Sequence, residues 1–200
     1  QALDYDSALI AERLDVKTYL NKGLVIQFVD EKAKTSVELR HDGGVADFLD
    51  HVNKRREDVR VAPTPFVLER EVEDDGLRLH LALAWTESTD EDVLSFVNTI
   101  PTRDGGTHEM VKKGLEIKRE DVREGLTAVL SVCVHEPQFQ GQTKGRLNNP
   151  EVRGQVESLV RPSLEAFLHQ NKSVGDAIAA RVIQAARARD TRLSEGQVAL

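Results

Sequence analysis

Gln142-Thr143-Lys144 sets an amide, a hydroxyl and an ammonium side by side. They lie in the run His135-Glu-Pro-Gln-Phe-Gln-Gly-Gln-Thr-Lys-Gly-Arg-Leu-Asn-Asn-Pro150. That run follows an apolar stretch that reads as a strand and leads into a helix start. A lysine ammonium is a compact charge on a flexible stem, suited to a terminal phosphate, and Gln142 adds a neutral donor beside it. In phosphoryl transfer, negative charge sits on the γ-phosphate oxygens, so a cation aimed there both binds a nucleotide and senses its hydrolysis. On the tripeptide alone, a solvated loop lysine is the plainer explanation, because three residues make a weak motif.

A second block, Ser95-Phe-Val-Asn-Thr-Ile-Pro-Thr-Arg-Asp-Gly-Gly-Thr-His-Glu109, combines a strand with a turn. Its two glycines permit a tight reversal, Thr107 can cap a following helix, and Glu109 suits that helix's first turn. His108 has no second histidine four residues on, so it does not form a zinc-protease pattern and reads as structural. Cys133 is the single cysteine of the chain, which excludes a disulfide framework and a thiolate metal cluster. No metal site is expected. Arg181, Arg189 and Arg192 fall within one sector of a helix, since eleven residues make about three turns. A solvated helix face explains them most simply, and a contact with DNA is the sharper alternative. The net charge of −7 argues against a surface that binds phosphates all round, though not against a local basic patch.

These groups need a scaffold. Two hundred residues, 40% hydrophobic and 30% charged, suit one globular domain, or one domain with an appended element. No apolar run is long enough to span a bilayer, and the start shows no secretory signal pattern. Asp6 or Ser7 can cap a first helix that stops at Asn21-Lys22-Gly23. Leu24, Ile26 and Phe28 alternate as a strand, and Val37 and Leu39 mark its return. Val45, Phe48, Leu49 and Val52 then take helical spacing. The cleanest strand is Leu77 to Trp85, where leucine recurs at alternate positions. Val93 to Ile100 reads as one further strand. Leu126 to Val134 is apolar on both faces, which predicts a central, covered strand. Asn149 and Pro150 open a helix whose stripe runs through Val152, Val156, Leu159, Val160 and Leu164, with Pro162 expected to interrupt and kink it. A last helix spans about Val174 to Arg189, beyond which the pattern fades. The fold class is α+β: a sheet of about four main strands, helices on one face, and long kinked C-terminal helices.

The loop and the Arg103-Asp-Gly-Gly-Thr-His-Glu109 block together closely resemble the ATP-driven type II DNA topoisomerases, meaning gyrase B and its topoisomerase IV counterpart. Asp121-Val-Arg-Glu-Gly-Leu126, Ala185-Ala-Arg-Ala-Arg189, Leu20-Asn21-Lys22-Gly23 and Asp42-Gly43-Gly44 agree, so the resemblance covers Leu3 to about Arg189. It implies that residues 1–189 are the transducer domain, with a left-handed βαβ crossover of the kind seen in ribosomal-protein-type domains, an exception to the usual handedness. Residues 190–200 look like a tail of other origin. By motif position, Gln142 and Lys144 contact the ATP γ-phosphate in an adjoining GHKL-type ATPase domain, Lys144 in a catalytic role and Thr143 shaping the loop. The implied cofactor is ATP with Mg2+, bound mainly by that neighbour. The implied partners are the ATPase and Toprim domains of the same subunit, a gyrase A or ParC type subunit, and double-stranded DNA. The full subunit is expected as a homodimer within a cytoplasmic heterotetramer. ATPase and Toprim motifs are absent from these residues, so this stretch is not expected to be active alone. Only eleven residues separate Glu109 from Asp121, fewer than in relatives. The alternatives are the matching module of a mismatch-repair or chaperone ATPase, and a non-catalytic adapter.

Overall fold

The computed structural model describes residues 5–73, 76–102 and 118–198, with side chains described as far as Thr191. The Arg103 to Glu109 block, with Thr107 and His108, lies outside the described residues. In chain order the elements are α1 (Ser7–Leu20), β1 (Ile26–Asp30), β2 (Thr35–Leu39), α2 (Val45–Arg55), β3 (Phe66–Val72), β4 (Leu77–Trp85) and β5 (Asp92–Val97). There follow β6 (Ile100–Pro101), α3 (Arg119–Arg123), β7 (Leu126–Cys133), β8 (Phe139–Gln140), β9 (Arg146–Leu147), α4 (Pro150–Gln170) and α5 (Lys172–Val198).

The α+β class holds, with a mixed five-stranded sheet in the order β3-β4-β7-β5-β6. β7 sits at its centre, antiparallel to β4 (Leu81 opposite Leu130) and parallel to β5 (Val97 opposite Val132). That position explains its two apolar faces, since Thr127 to Val132 are all buried. β1 and β2 form a separate hairpin, with Phe28 opposite Val37.

The expectation of helices on one face is corrected. Leu77, Leu79, Leu81, Leu83, Trp85, Leu130 and Val132 pack with Val152, Val156 and Val160 of α4 on one side of the sheet. On the other side, Ala82, Ala84, Phe96 and Val129 meet Val45, Phe48, Leu49 and Val52 of α2, with Tyr19 and Leu20 of α1. The alanines of β4 are small enough to let α2 lie close against the strands. Side chains with no exposed surface, such as Leu79, Val97, Val129 and Leu49, each contribute about 1.5–3 kcal/mol through burial.

Three further details differ from the sequence expectations. Val93 to Ile100 is not one strand, because Asn98 and Thr99 both take positive φ (47° and 64°) and turn the chain into β6. Asn98 then serves as a substitute strand residue: its Nδ2 donates to the Val134 carbonyl at 2.9 Å, and the Val134 N–H donates to its Oδ1 at 2.8 Å. Pro162 does not interrupt α4, which runs as one helix from Pro150 to Gln170. Buried valines before Pro162, and partly buried Leu164 and Phe167 after it, hold both halves to the core against the cost of the missing N–H. α5 extends beyond the span expected for it, from Lys172 to Val198, so residues 190–198 continue a helix.

Candidate functional site

Gln142, Thr143 and Lys144 occupy the turn of the short β8–β9 hairpin, which is inserted between β7 and α4. Phe139 pairs with Leu147 and Gln140 with Arg146. Leu147 is completely buried in the core beneath the sheet, and Phe139 packs beside it, so the hairpin is rooted in the main body. Asn149 bolts the base. Its Oδ1 accepts from the Gln138 N–H at 2.7 Å, while its Nδ2 donates to the Glu136 carbonyl and to Glu151 at 3.3 and 2.6 Å. The sequence marks Asn149 as a helix cap, and it does precede α4. Its side chain, however, is spent on the hairpin and makes no cap bond.

At the tip, Gly141 and Lys144 both adopt left-handed backbone (φ 76° and 53°), and the Lys144 N–H reaches the Gly141 carbonyl at 3.4 Å. A non-glycine residue in that region costs about 1–2 kcal/mol. The turn therefore holds Lys144 at a defined corner. Residues 141 to 144 are all exposed. The Lys144 ammonium lies 5.8 Å from the centre of the Phe139 ring and has no carboxylate partner among the described residues. A cation resting on an aromatic face is weakly held and remains available to an anion. Glu151, at the start of α4, is held below its usual range, first by the Asn149 hydrogen bond, so it remains ionised near the base of the hairpin.

Arg181 and Arg189 of α5 do not lie on its solvated face, whereas Arg187 is exposed. Arg181 is buried: its Nε donates to the Thr86 carbonyl at 3.2 Å, and one terminal nitrogen reaches the Ser88 carbonyl at 2.7 Å and Glu124 at 3.2 Å. Arg189 pairs with Asp121, itself only 2% exposed, at 3.1 Å. Arg181 thus engages α3 and the β4–β5 connection, whereas Arg189 bridges Asp121 of α3 and exposed Asp190 of its own helix. Arg192 lies on α5 with its side chain outside the described residues. Among the described residues there is no cluster of metal-ligating side chains, and no helix is long and apolar enough to cross a membrane. Cys133 is half-buried at the end of β7, and burial raises its thiol pKa, consistent with an inert side chain.

The family model described as DNA gyrase B matches residues 44–110 and 108–197. The chain belongs to the DNA gyrase B family. The match leaves α1 and the β1–β2 hairpin outside it and takes in most of α5. Its two pieces overlap at residues 108–110. The DNA gyrase B protein of Myxococcus xanthus is 34% identical over 94% of this chain and 25% of its own length. That of Cytophaga hutchinsonii is 36% identical over 94% of this chain and 44% of its own length. The chain thus spans less than half of these gyrase B relatives. Among solved structures, the 43K ATPase domain of Thermus thermophilus gyrase B, in complex with an aminocoumarin, superposes with a TM-score of 0.83 and 27% identity. That superposition covers 98% of this chain and 57% of the Thermus one.

Proposed function

We propose that this chain is the transducer module of an ATP-driven type IIA DNA topoisomerase subunit, of the gyrase B or topoisomerase IV type. The observation that carries the reading is Lys144: an exposed ammonium without a carboxylate partner among the described residues, on a turn rooted in the core. The superposition supports it, because nearly all of this chain overlies little more than half of an ATPase-region chain, leaving room there for a nucleotide-binding neighbour.

ATP with Mg2+, held mainly by that neighbouring domain, supplies the phosphate charge. On this side the fit rests on Lys144 and the adjacent exposed amide of Gln142, which offer three ammonium donors and one NH2 group to phosphate oxygens. Lys144 steadies one orientation of the two domains while the γ-phosphate is present. Its hold weakens once that charge leaves, so a single contact biases a two-state interface. Gln142 orients the phosphate, Thr143 shapes the turn, and Asn149 with Leu147 keeps the hairpin from yielding. The helices α4 and α5 carry the movement toward a Toprim domain, a gyrase A type subunit and double-stranded DNA, in a cytoplasmic heterotetramer built on a dimer of the full subunit.

The test is Lys144→Ala in the full-length subunit. A charge-assisted contact is worth about 1.5–3 kcal/mol, so ATP turnover and supercoiling fall roughly 10- to 150-fold. Turnover close to that of the unaltered protein would remove Lys144 from this role.

A further inference from the structure

The inward-facing arginines have a consequence for α5. Its buried side chains are Val174, Arg181, Val182 and Ala185, and none from residue 186 to Thr191 is buried. The helix is about 40 Å long at 1.5 Å per residue, and among the described side chains its buried apolar contacts end at Ala185. Past Ala185, among the described side chains, the ion pair with the body is Arg189 against Asp121, at 3.1 Å and with its N–H not aligned as a hydrogen bond. Arg181, one turn before Ala185, is by contrast fully engaged.

The surface these arginines grip is rigid. Asp121 accepts from the Lys118 N–H at 2.8 Å and so closes the start of α3. The Trp85 indole N–H donates to the Val122 carbonyl at 2.8 Å, and the Thr86 N–H donates to the Gly125 carbonyl at 2.8 Å. The end of β4, α3 and the start of β7 therefore move as one piece. The Arg181 guanidinium, held by three acceptors, fixes rotation as well as distance, while Arg189 adds a single charge contact; apolar contact is non-directional and permits sliding. Arg181 is only 7% exposed, so removing it leaves Glu124 without its buried partner, which makes that contact close to all-or-none.

We propose that Arg181 and Arg189, with Glu124 and Asp121, form a polar latch that sets the angle of α5, and that these are positioning residues through which sheet movement reaches the helix. The inference rests on the transducer reading above and adds where the coupling passes. It separates two quantities that a change at Lys144 lowers together: ATP turnover and supercoiling.

The experiment uses the full-length subunit assembled with its partner subunit on relaxed plasmid, measuring ATP hydrolysis and linking-number change in the same reaction. Arg181→Met and Arg189→Gln are expected to keep hydrolysis within about twofold and to lower supercoils per ATP by about fivefold or more, the usual lower bound for coupling between sites. Arg189→Lys, which keeps the charge facing Asp121, restores the ratio. Should Arg181→Met fail to fold, Arg189→Gln decides the matter, since that side chain is 21% exposed and its amide can still donate to Asp121. An unchanged ratio in Arg189→Gln, or a loss that Arg189→Lys does not repair, overturns the latch. If Lys144→Ala lowers turnover as expected while the ratio in the arginine variants stays fixed, only the latch falls. If Lys144→Ala leaves turnover intact, the transducer reading falls and the latch with it.

Discussion

At Gly125 a single added methyl group meets backbone rather than movable side chains. This glycine sits between α3 and β7 with φ of 76°, and a Cβ there lies 2.5 Å from the Thr86 carbonyl oxygen and 2.7 Å from that of Ser88. Ordinary carbon–oxygen contacts are about 3.3 Å or longer, so the backbone must open by several tenths of an ångström. Both carbonyls are bonded to Arg181, and Thr86 also donates its N–H and hydroxyl to the Gly125 carbonyl at 2.8 and 3.1 Å. Gly125→Ala therefore combines the left-handed backbone penalty of about 1–2 kcal/mol with an overpacking cost of about 1–3 kcal/mol. The sum is about 2–5 kcal/mol. Gly141 provides the control, because its φ is also 76° and nothing lies within 4 Å of a Cβ built on it. Gly141→Ala should cost only the backbone part, about 1–2 kcal/mol. Urea unfolding followed by the fluorescence of Trp85, the sole tryptophan and a buried one, gives both numbers. Equal losses in the two variants would refute the close-packed junction and weaken the case that α3 is a rigid seat for α5.

Two other outcomes follow from the same structure. His80, half-buried on β4, has its pKa held below the ordinary 6.5, first by desolvation and then by Arg78 and Lys22, with Glu69 and Glu71 opposing. Its depressed folded pKa means the unfolded chain binds the proton more readily, so the contribution of His80 to stability is complete above pH 6.5 and is lost as pH falls below it. Denaturation midpoints measured from pH 8 downward should show that decline, flattened in His80→Phe; an identical slope in both proteins would exclude His80 as the source. Asn149→Ala should cost about 0.5–1.5 kcal/mol, because it removes the hydrogen bond that the Gln138 N–H makes at the hairpin base. Hydrogen exchange at Gln138 should accelerate correspondingly, and unchanged protection would show that the hairpin does not depend on Asn149.

The main strands are legible in the sequence because their periodicity is unambiguous: Leu77 to Trp85 alternates cleanly, and the two-sided apolarity of Leu126 to Val134 marks a central strand. That same pattern requires cover on both faces, yet the inner residues of the second face include Ala82 and Ala84, too small to announce a helix above them. The break after Val97 is hidden because Asn98 and Thr99 take left-handed backbone without a glycine to signal it. β8 and β9, at two residues each, are too short to show any period. The tripeptide at the turn is visible by residue type, but Asn149, which roots it, carries only the signature of a helix cap. For the arginines, spacing reveals a shared side of α5, whereas the acceptors that turn that side inward lie 57 to 95 residues away in the chain. Helical spacing cannot tell a solvated charge from a charge whose partner is remote in sequence.

The central claim is that the Lys144 ammonium meets the terminal phosphate of ATP bound in the adjoining domain. It is tested most directly in the full-length subunit with an ATP analogue that carries an amine-reactive group on its γ-phosphate, followed by peptide mapping. The account predicts label on Lys144, competed away by ATP and absent from Lys144→Ala. Label confined to other lysines, with Lys144 unmodified at saturating analogue, would contradict it.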